Sequence, residues 1–409
     1  MKPSARRLVR AFGFFFALVL VAPVAPVVAA KEVSAISDAF FPIMPYNNAP
    51  TNAALLRRMR ECGFNLAGFV TPAALDACHA AGLRAIVADP RVTEYDWTNV
   101  DSTRARSNIT SLVRQVGRHP AVFGYKLRDE PNLAMLPGLG EVAGLVREIA
   151  PGKFPYINLF PNYAGARWIG TTNYAEYLET FAATCRPPII SYDNYSLLDN
   201  GSVDGAYWTN LELIRALARK HGAEFWNTIL AAAHFDYREP TAADFRLLAY
   251  TTLAYGGRGL CWFTYFATGP DSHLAPVDQF GHESPTWYLL QNINLQVQHL
   301  APTILQLTNT AVYHLGEIPE GCSGPAATNL VTAMTAGNFV IGEFTHRDGT
   351  AYVLIVNKDL ARARRCQPQF RTAPRQLQII SPFTGRAEKY DREFSWLAPG
   401  AGALLKFEP

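Results

Sequence analysis

The stretch Val122-Phe123-Gly124-Tyr125-Lys126-Leu127-Arg128-Asp129-Glu130-Pro131 runs apolar and strand-like, then stops on two adjacent carboxylates and a proline. A strand that ends this way delivers an acid to the rim of an active site, as strands do at the C-terminal face of a (β/α)8 barrel. Successive side chains on a strand point to opposite sides. Asp129 and Glu130 therefore face one cavity only if the strand ends and the backbone turns, and Pro131 enforces that ending. Two carboxyls side by side where water is scarce hold their protons to higher pH, which is the state a general acid needs near neutrality. The competing reading is an exposed Asp-Glu pair capping the following helix.

Working outward, residues 40 to 300 repeat one pattern: apolar strand, polar exit, amphipathic helix. The strands are expected at Ala39 to Tyr46, Phe64 to Val70, Leu83 to Ala88, Val122 to Leu127, Pro155 to Phe160, Pro188 to Tyr192, Glu224 to Ala231 and Leu260 to Phe266. Helical periodicity falls between them, as in Ala53 to Cys62, Ser107 to Arg118, Leu139 to Ile149, Tyr174 to Thr184 and Thr241 to Ala254. Eight such units in about 250 residues are the size of a closed α/β barrel of the (β/α)8 (TIM) type. A doubly wound open sheet is the alternative, but no Gly-rich phosphate loop follows the first strand. The expected organisation is therefore an N-terminal segment over residues 1–30, a barrel over 31–302 and a β-sandwich domain over 303–409.

Strand exits build the working face of such a barrel. They carry Tyr46 and Asn47, Asp89, Asp129 and Glu130, then Asn158, Asn162 and Tyr163. After these come Tyr192, Asp193, Asn194 and Tyr195, then His234 and Asp236, and finally Trp262, Thr264 and Tyr265. Amides and carboxylates suit a ligand rich in hydroxyls, and aromatic faces suit the C–H surface of a sugar ring. Phosphate ligands call instead for Arg, Lys or a helix N-terminus, and only Arg128 and Arg238 lie near these exits. Carbohydrate is the expected substrate. Each ring taken alone is more often packing, and each Asn more often serves a turn; their convergence on one barrel end carries the inference.

Gly124-Tyr125-Lys126-Leu127-Arg128-Asp129-Glu130-Pro131, Ile190-Ser191-Tyr192-Asp193-Asn194-Tyr195 and Leu253-Ala254-Tyr255-Gly256-Gly257-Arg258-Gly259-Leu260-Cys261-Trp262-Phe263-Thr264-Tyr265 resemble the fourth, sixth and eighth strands of bacterial glycoside-hydrolase-like barrels. The likeness is to the β-galactosidase-type retaining superfamily (clan A-like), in which Asn-Glu-Pro closes the fourth strand. The resemblance implies that Glu130 is the acid/base, with Asp129 where the superfamily has Asn. It also implies a nucleophilic Glu at the seventh strand exit, but Trp226-Asn227-Thr228-Ile229-Leu230-Ala231-Ala232-Ala233-His234 has no carboxylate there.

Asp193, flanked by tyrosines at a strand exit, is the leading second carboxylate, acting as a base or holding a sugar hydroxyl. Asp236 and Glu239 are weaker candidates. His234 is read as a substrate ligand or proton relay, and Glu283 as part of a polar turn. The expected catalytic pair is Glu130 with Asp193. The expected substrate contacts are Tyr46, Asn47, Asp129, Asn158, Tyr163, Tyr192, Tyr195, His234, Trp262 and Tyr265. No Cys-x-x-Cys or His-Glu-x-x-His spacing occurs, so neither metal nor cofactor is expected.

Lys2, Arg6, Arg7 and Arg10 precede an apolar run from Ala11 to Val28, and Val28-Ala29-Ala30 offers small residues for cleavage. This order is that of a signal peptide for export to the periplasm or beyond the cell, and it implies no membrane span once the signal is removed. Its removal leaves 33 basic residues against 34 acidic ones, a near-neutral chain without the clustered basic surface that nucleic acid requires. Of the six cysteines, Cys322 and Cys366 are placed to pair, and the others read equally well as buried thiols. Beyond residue 303, strands alone recur at Asn309 to Leu315, Asn338 to Phe344, Ala351 to Asn357, Gln376 to Ile380 and Ala403 to Phe407, as in a small antiparallel sandwich. Three functions fit: an exported glycosidase, a catalytically silent glycan-binding barrel, or a polysaccharide lyase-type barrel in which Tyr192 or Tyr195 handles protons.

Overall fold

Eight short parallel strands form the centre of the molecule: β1 (Ile43–Pro45), β2 (Leu66–Val70), β3 (Arg84–Val87), β4 (Val122–Asp129), β5 (Phe154–Leu159), β6 (Ile189–Asp193), β7 (Glu224–Leu230) and β8 (Gly259–Phe263). The structure is a computed structural model that describes residues 40–269 and 272–408; the expected export segment lies outside the described residues. The sheet runs β1-β8-β7-β6-β5-β4-β3-β2. It closes between β1 and β2, where the Phe69 N–H donates to the Asn47 carbonyl at 3.0 Å and the Asn65 N–H to the Ile43 carbonyl at 3.2 Å. Closure requires Gly68, because a Cβ there would stand 2.4 Å from the carbonyl oxygens of both Pro45 and Asn47.

Strands buried on both faces read as continuous apolar runs. Their inward side chains, including Met44, Phe123, Phe154, Tyr156 and Trp226, fill the barrel. Phe123 stacks on Trp226 at 6.1 Å, and Phe154 meets the same indole edge-on at 5.2 Å. This aromatic plug is the floor beneath the strand exits. Outward side chains pack under the helices, whose starts are set by side-chain caps. Asp101 accepts from the Thr103 and Arg104 N–H groups and starts helix Ser102–Val116 earlier than its apolar spacing alone indicates. Thr241 and Asp244 form a capping box on helix Ala242–Ala254. β8 ends at Phe263 rather than Phe266, because the Asn47 amide oxygen accepts from the Thr264 hydroxyl and, at 2.9 Å, from the Tyr265 N–H, drawing the chain across the barrel mouth.

The C-terminal region is an antiparallel sheet of six strands in the order Leu307–Leu315, Phe339–His346, Ala351–Asn357, Gly402–Glu408, Gln376–Ile380 and Ala387–Lys389, with small two-stranded ribbons beside it. Both faces are apolar. Val340, Leu354, Val356 and Leu404 join the barrel core, while Ile341, Val353, Ile355 and Leu405 form a second core with Val331, Cys366 and Leu397. The first face lies directly on helix Ala242–Ala254, which is apolar all round because it is sandwiched between barrel and sheet. All six cysteines are free, so the Cys322–Cys366 pairing is not formed. Cys322 instead sits beside the Tyr255 hydroxyl at 3.9 Å, and Cys366 is fully buried in the second core.

The contact between sheet and helix has no slack at Gly342, where a Cβ would stand 2.2 Å from the Ala254 carbonyl oxygen. Gly342→Ala is expected to destabilise the protein by about 1–3 kcal/mol. Gly144→Ala, in helix Leu136–Ile149 with nothing within 4 Å of the added methyl, should stabilise it by up to about 1 kcal/mol. Calorimetric unfolding of the two variants checks both signs.

Candidate active site

β4, β5 and β6 place Asp129, Asn158 and Asp193 on the inner wall at the barrel mouth, one layer above the aromatic plug. The Asn158 amide nitrogen donates to Asp193 Oδ1 at 2.9 Å and to Asp129 Oδ1 at 3.3 Å. The amide is oriented from behind: its oxygen accepts from the Ser191 hydroxyl at 2.9 Å, and Ser191 in turn pairs with the Tyr156 hydroxyl at 2.9 Å. Tyr46 donates its hydroxyl to Asp129 Oδ1 at 2.5 Å from across the barrel.

Glu130 follows with φ +47°, a left-handed backbone that non-glycine residues adopt at a cost of about 1–3 kcal/mol. Its N–H donates to the Asn158 carbonyl at 2.8 Å. The turn between Asp129 and Glu130 is thus real, and it keeps the two carboxyls within electrostatic reach. Burial, then the charge of Asp129, pushes the Glu130 carboxyl up to about 7. Asp193, only 4 % exposed, is held well above the ordinary carboxylate range by burial and then by Glu130 and Asp129, while the Asn158 amide pulls the other way. Glu130 thus answers to the charge of Asp129, and Asp193 to those of Glu130 and Asp129, so the three carboxyls lie within electrostatic reach of one another. Like charges gathered in one buried setting do not all ionise readily.

Aromatic rings wall the pocket. Tyr195 packs against His234, Tyr237 and Phe263 with centroids 5.1, 5.9 and 5.1 Å away. Tyr163, 40 % exposed, accepts the Tyr195 N–H on its hydroxyl at 3.0 Å. Burial depresses the His234 pKa, and its Nδ1 lies 3.1 Å from the Ala232 carbonyl, so the neutral ring donates there and leaves Nε2 as an acceptor.

Of the residues singled out from sequence, Tyr46, Asp129, Glu130, Asn158, Tyr163, Asp193, Tyr195 and His234 come together. Four others turn to structural work. Tyr192 points under the helices because its neighbour Asp193 points inward. The Trp262 indole N–H donates to Asn294 at 2.8 Å on the helical side, and the Tyr265 hydroxyl accepts from Trp287 at 2.9 Å. Asn47 lines the mouth, but its amide oxygen is committed to residues 264–266. Asp89 caps helix Pro90–Thr93 and pairs with Arg91. Glu239 accepts from Thr286, and Glu283 pairs with Arg58. Phe69, Lys126, Tyr237 and Phe263 belong to the site and escaped the sequence reading. For Lys126 the cause is specific: strict alternation puts it on the opposite face from Asp129, but a bulge between Lys126 and Arg128 turns both inward.

Eight parallel strands closed around an aromatic plug, with acids and rings gathered at their C-terminal ends, define a (β/α)8 barrel enzyme scaffold. No protein-family model matches the chain, and no curated protein matches it. Among solved structures, it is similar to a glycoside hydrolase family 5 protein from Bacteroides vulgatus, with 9 % identity, coverage of 90 % of this chain and 89 % of that one, and TM-score 0.57. It is also similar to a GH42 β-galactosidase from G. stearothermophilus, solved as a catalytic mutant, with 12 % identity, coverage of 66 % and 58 %, and TM-score 0.51. A β-galactosidase from Marinomonas ef1 follows at 11 % identity, 65 % and 62 % coverage, and TM-score 0.49. The chain spans about three fifths of the length of the two β-galactosidases. The barrel with its following antiparallel sheets is therefore a fold shared with the family 5 protein over nine tenths of the chain.

The raised Glu130 carboxyl has a consequence for stability. Below the ordinary value of 4.5 its proton is bound in both folded and unfolded chains. Between there and about 7 the unfolded chain releases it first, so stability falls as pH rises through that window. Glu130→Gln removes the titration. Its gain over the parent should be larger at pH 8 than at pH 4 by on the order of 2 kcal/mol, read from denaturant unfolding at the two pH values.

Proposed function

We propose that the protein is an exported glycoside hydrolase that cleaves O-glycosidic bonds in a plant or microbial oligosaccharide or polysaccharide. The observation that carries this reading is the gathering of Asp129, Glu130 and Asp193 at the barrel mouth, with the Glu130 carboxyl raised to about 7 by burial and by Asp129. Glu130 stands on the turn at the rim, where a proton reaches a glycosidic oxygen, and acts as the general acid/base. Asp193 lies deeper, tethered by Asn158, and is the second carboxylate. Asp129, held between the Tyr46 hydroxyl and the Asn158 amide, has a remaining oxygen to accept a sugar hydroxyl. Tyr163, Tyr195 and Phe263 supply the ring faces. Export is supported by the basic, apolar, small-residue order of residues 1–30.

One observation favours a second reading. The exit of β7 carries Leu230, Ala231 and Ala232, without the carboxylate found there in the retaining superfamily that the sequence resembles. A barrel without its nucleophile still binds glycan, and the silent glycan-binding protein is the alternative.

The discriminating measurement is turnover of a panel of chromogenic glycosides by the parent protein and Glu130→Gln across pH 4–9. The parent's rate should fall as pH rises through about 7, where Glu130 loses its proton. Glu130→Gln should lose about 10²–10⁴-fold in kcat together with that alkaline limb, while still binding sugar. Glycan binding by the parent without product from any substrate establishes the binding protein instead, and a Glu130→Gln variant within a few-fold of the parent removes Glu130 from the mechanism.

A further inference from the structure

Beside the acids, between the exits of β1, β2 and β8, the barrel mouth opens into a cleft of about 480 Å³. Tyr46, Phe69, Phe263 and Phe266 make much of its wall, and Lys126 is the one basic side chain among its lining residues. The Lys126 ammonium lies 3.7 Å from the centroid of the Phe69 ring. Among the described residues no carboxylate forms an ion pair with it, and no oxygen accepts a hydrogen bond from it. Asp129 supports its charge only from a distance, Arg128 opposes it, and burial lowers its pKa.

A half-buried ammonium whose only close neighbour is a ring face is poorly compensated. In the ordinary interior of a protein it is replaced or paired; in a cleft open to ligand, the missing partner arrives with the ligand. A neutral sugar offers hydroxyl dipoles that only partly substitute for water. A carboxylate offers a full counter-charge and charge-assisted hydrogen bonds, in a cleft walled by aromatic rings. Tyr46 spans the two halves of the mouth, lining this cleft with its ring while its hydroxyl holds Asp129. A sugar seated over Tyr46 thus reaches the acids on one side and Lys126 on the other.

We propose that Lys126 recognises a carboxylate on the bound sugar, so that the barrel takes glycans containing uronic acid. The inference rests on the carbohydrate reading of the site and names its substrate class. Phe69 holds the ammonium in place, and the bulge in β4 that turns Lys126 inward is the structural device that makes the recognition available.

The test uses trigalacturonate and β-1,4-linked triglucuronate, each against its methyl ester, which keeps the shape and removes the charge. Binding is read by calorimetry for the parent, Lys126→Met and Lys126→Arg, with thermal unfolding reported for each. At least one acid should bind the parent about tenfold or more tightly than its ester, and added salt should erode the difference. Lys126→Met should bring acid and ester to within about twofold, and Lys126→Arg should keep the preference for acid. If Lys126→Met does not fold, Lys126→Gln takes its place. Equal binding of acid and ester by the parent, binding of neither, or an equal loss for both in the variant overturns the inference. The glycosidase reading fails separately: uronate selectivity that depends on Lys126, without turnover that depends on Glu130, leaves a uronate-binding barrel. Turnover of neutral glycosides that depends on Glu130, without uronate preference, leaves the hydrolase and removes Lys126 from specificity.

Discussion

Everything at the barrel mouth depends on the side chain of Asn158. Its amide nitrogen touches the carboxylates of β4 and β6 at once, and its backbone carbonyl fixes the N–H of Glu130. Three acids on neighbouring strands repel one another, and a donor shared between two of them offsets part of that repulsion. The donor works only if the amide keeps its nitrogen toward the acids. The chain from Tyr156 through Ser191 to the Asn158 oxygen enforces that orientation from inside the barrel. The register of β4, β5 and β6 is thus the constraint from which the geometry of the site follows: a slip of one residue in β5 turns Asn158 to the helices and leaves buried Asp193 and half-buried Asp129 without their bridge.

Beneath this polar layer, the plug of Phe123, Phe154, Tyr156 and Trp226 does electrostatic as well as packing work. A floor of rings excludes water from the barrel interior, and the raised proton affinities of Glu130 and Asp193 have burial as their largest cause. The same low-dielectric setting leaves Lys126 under-compensated and His234 neutral. Left-handed backbone at two non-glycine residues of the rim, Glu130 and Phe235, adds local strain. Stability is given up at this face, as is common where pre-organised groups must wait for a ligand.

The architecture was open to reading from sequence because a parallel barrel leaves a coarse signal: apolar runs of strand length, polar exits and helical spacing, repeated eight times. The acids were legible for a related reason, since Asp129-Glu130-Pro131 and Tyr192-Asp193 mark where apolar runs stop. What stayed hidden depends on facing. Tyr192, Trp262 and Tyr265 lie at strand ends as expected, but whether an aromatic at such a position points to the mouth or under a helix is set by the strand's phase, and one residue reverses it. Lys126 shows the converse, because an irregularity in pairing places side chains three residues apart on one face. The Cys322–Cys366 pairing failed on a different point: proximity in a small β region does not bring two thiols together when one belongs to the interface with the barrel and the other to the opposite core.

The distribution of acids around the mouth bears on how the proposed hydrolase would work. With Leu230, Ala231 and Ala232 at the end of β7, the carboxyls gather on β4 and β6 and leave the β8, β1 and β2 side to rings, over which Lys126 reaches from β4. In that proposal, a sugar entering the mouth meets Glu130 and Asp193 from one wall and rings with the Lys126 ammonium from the other. The two walls then have separable tasks: proton affinity on one is set by burial and by carboxyl neighbours, and ligand charge on the other is matched by an ammonium fixed over Phe69. Tyr46 joins them, because a single side chain lines the ring-faced cleft and carries the hydrogen bond that holds Asp129. A ligand that shifts the Tyr46 ring therefore alters the setting of Asp129 and, through the shared Asn158 amide, that of Asp193. The ring-lined cleft and the acids are thus joined by a continuous chain of hydrogen bonds from Tyr46 through Asp129 and Asn158 to Asp193.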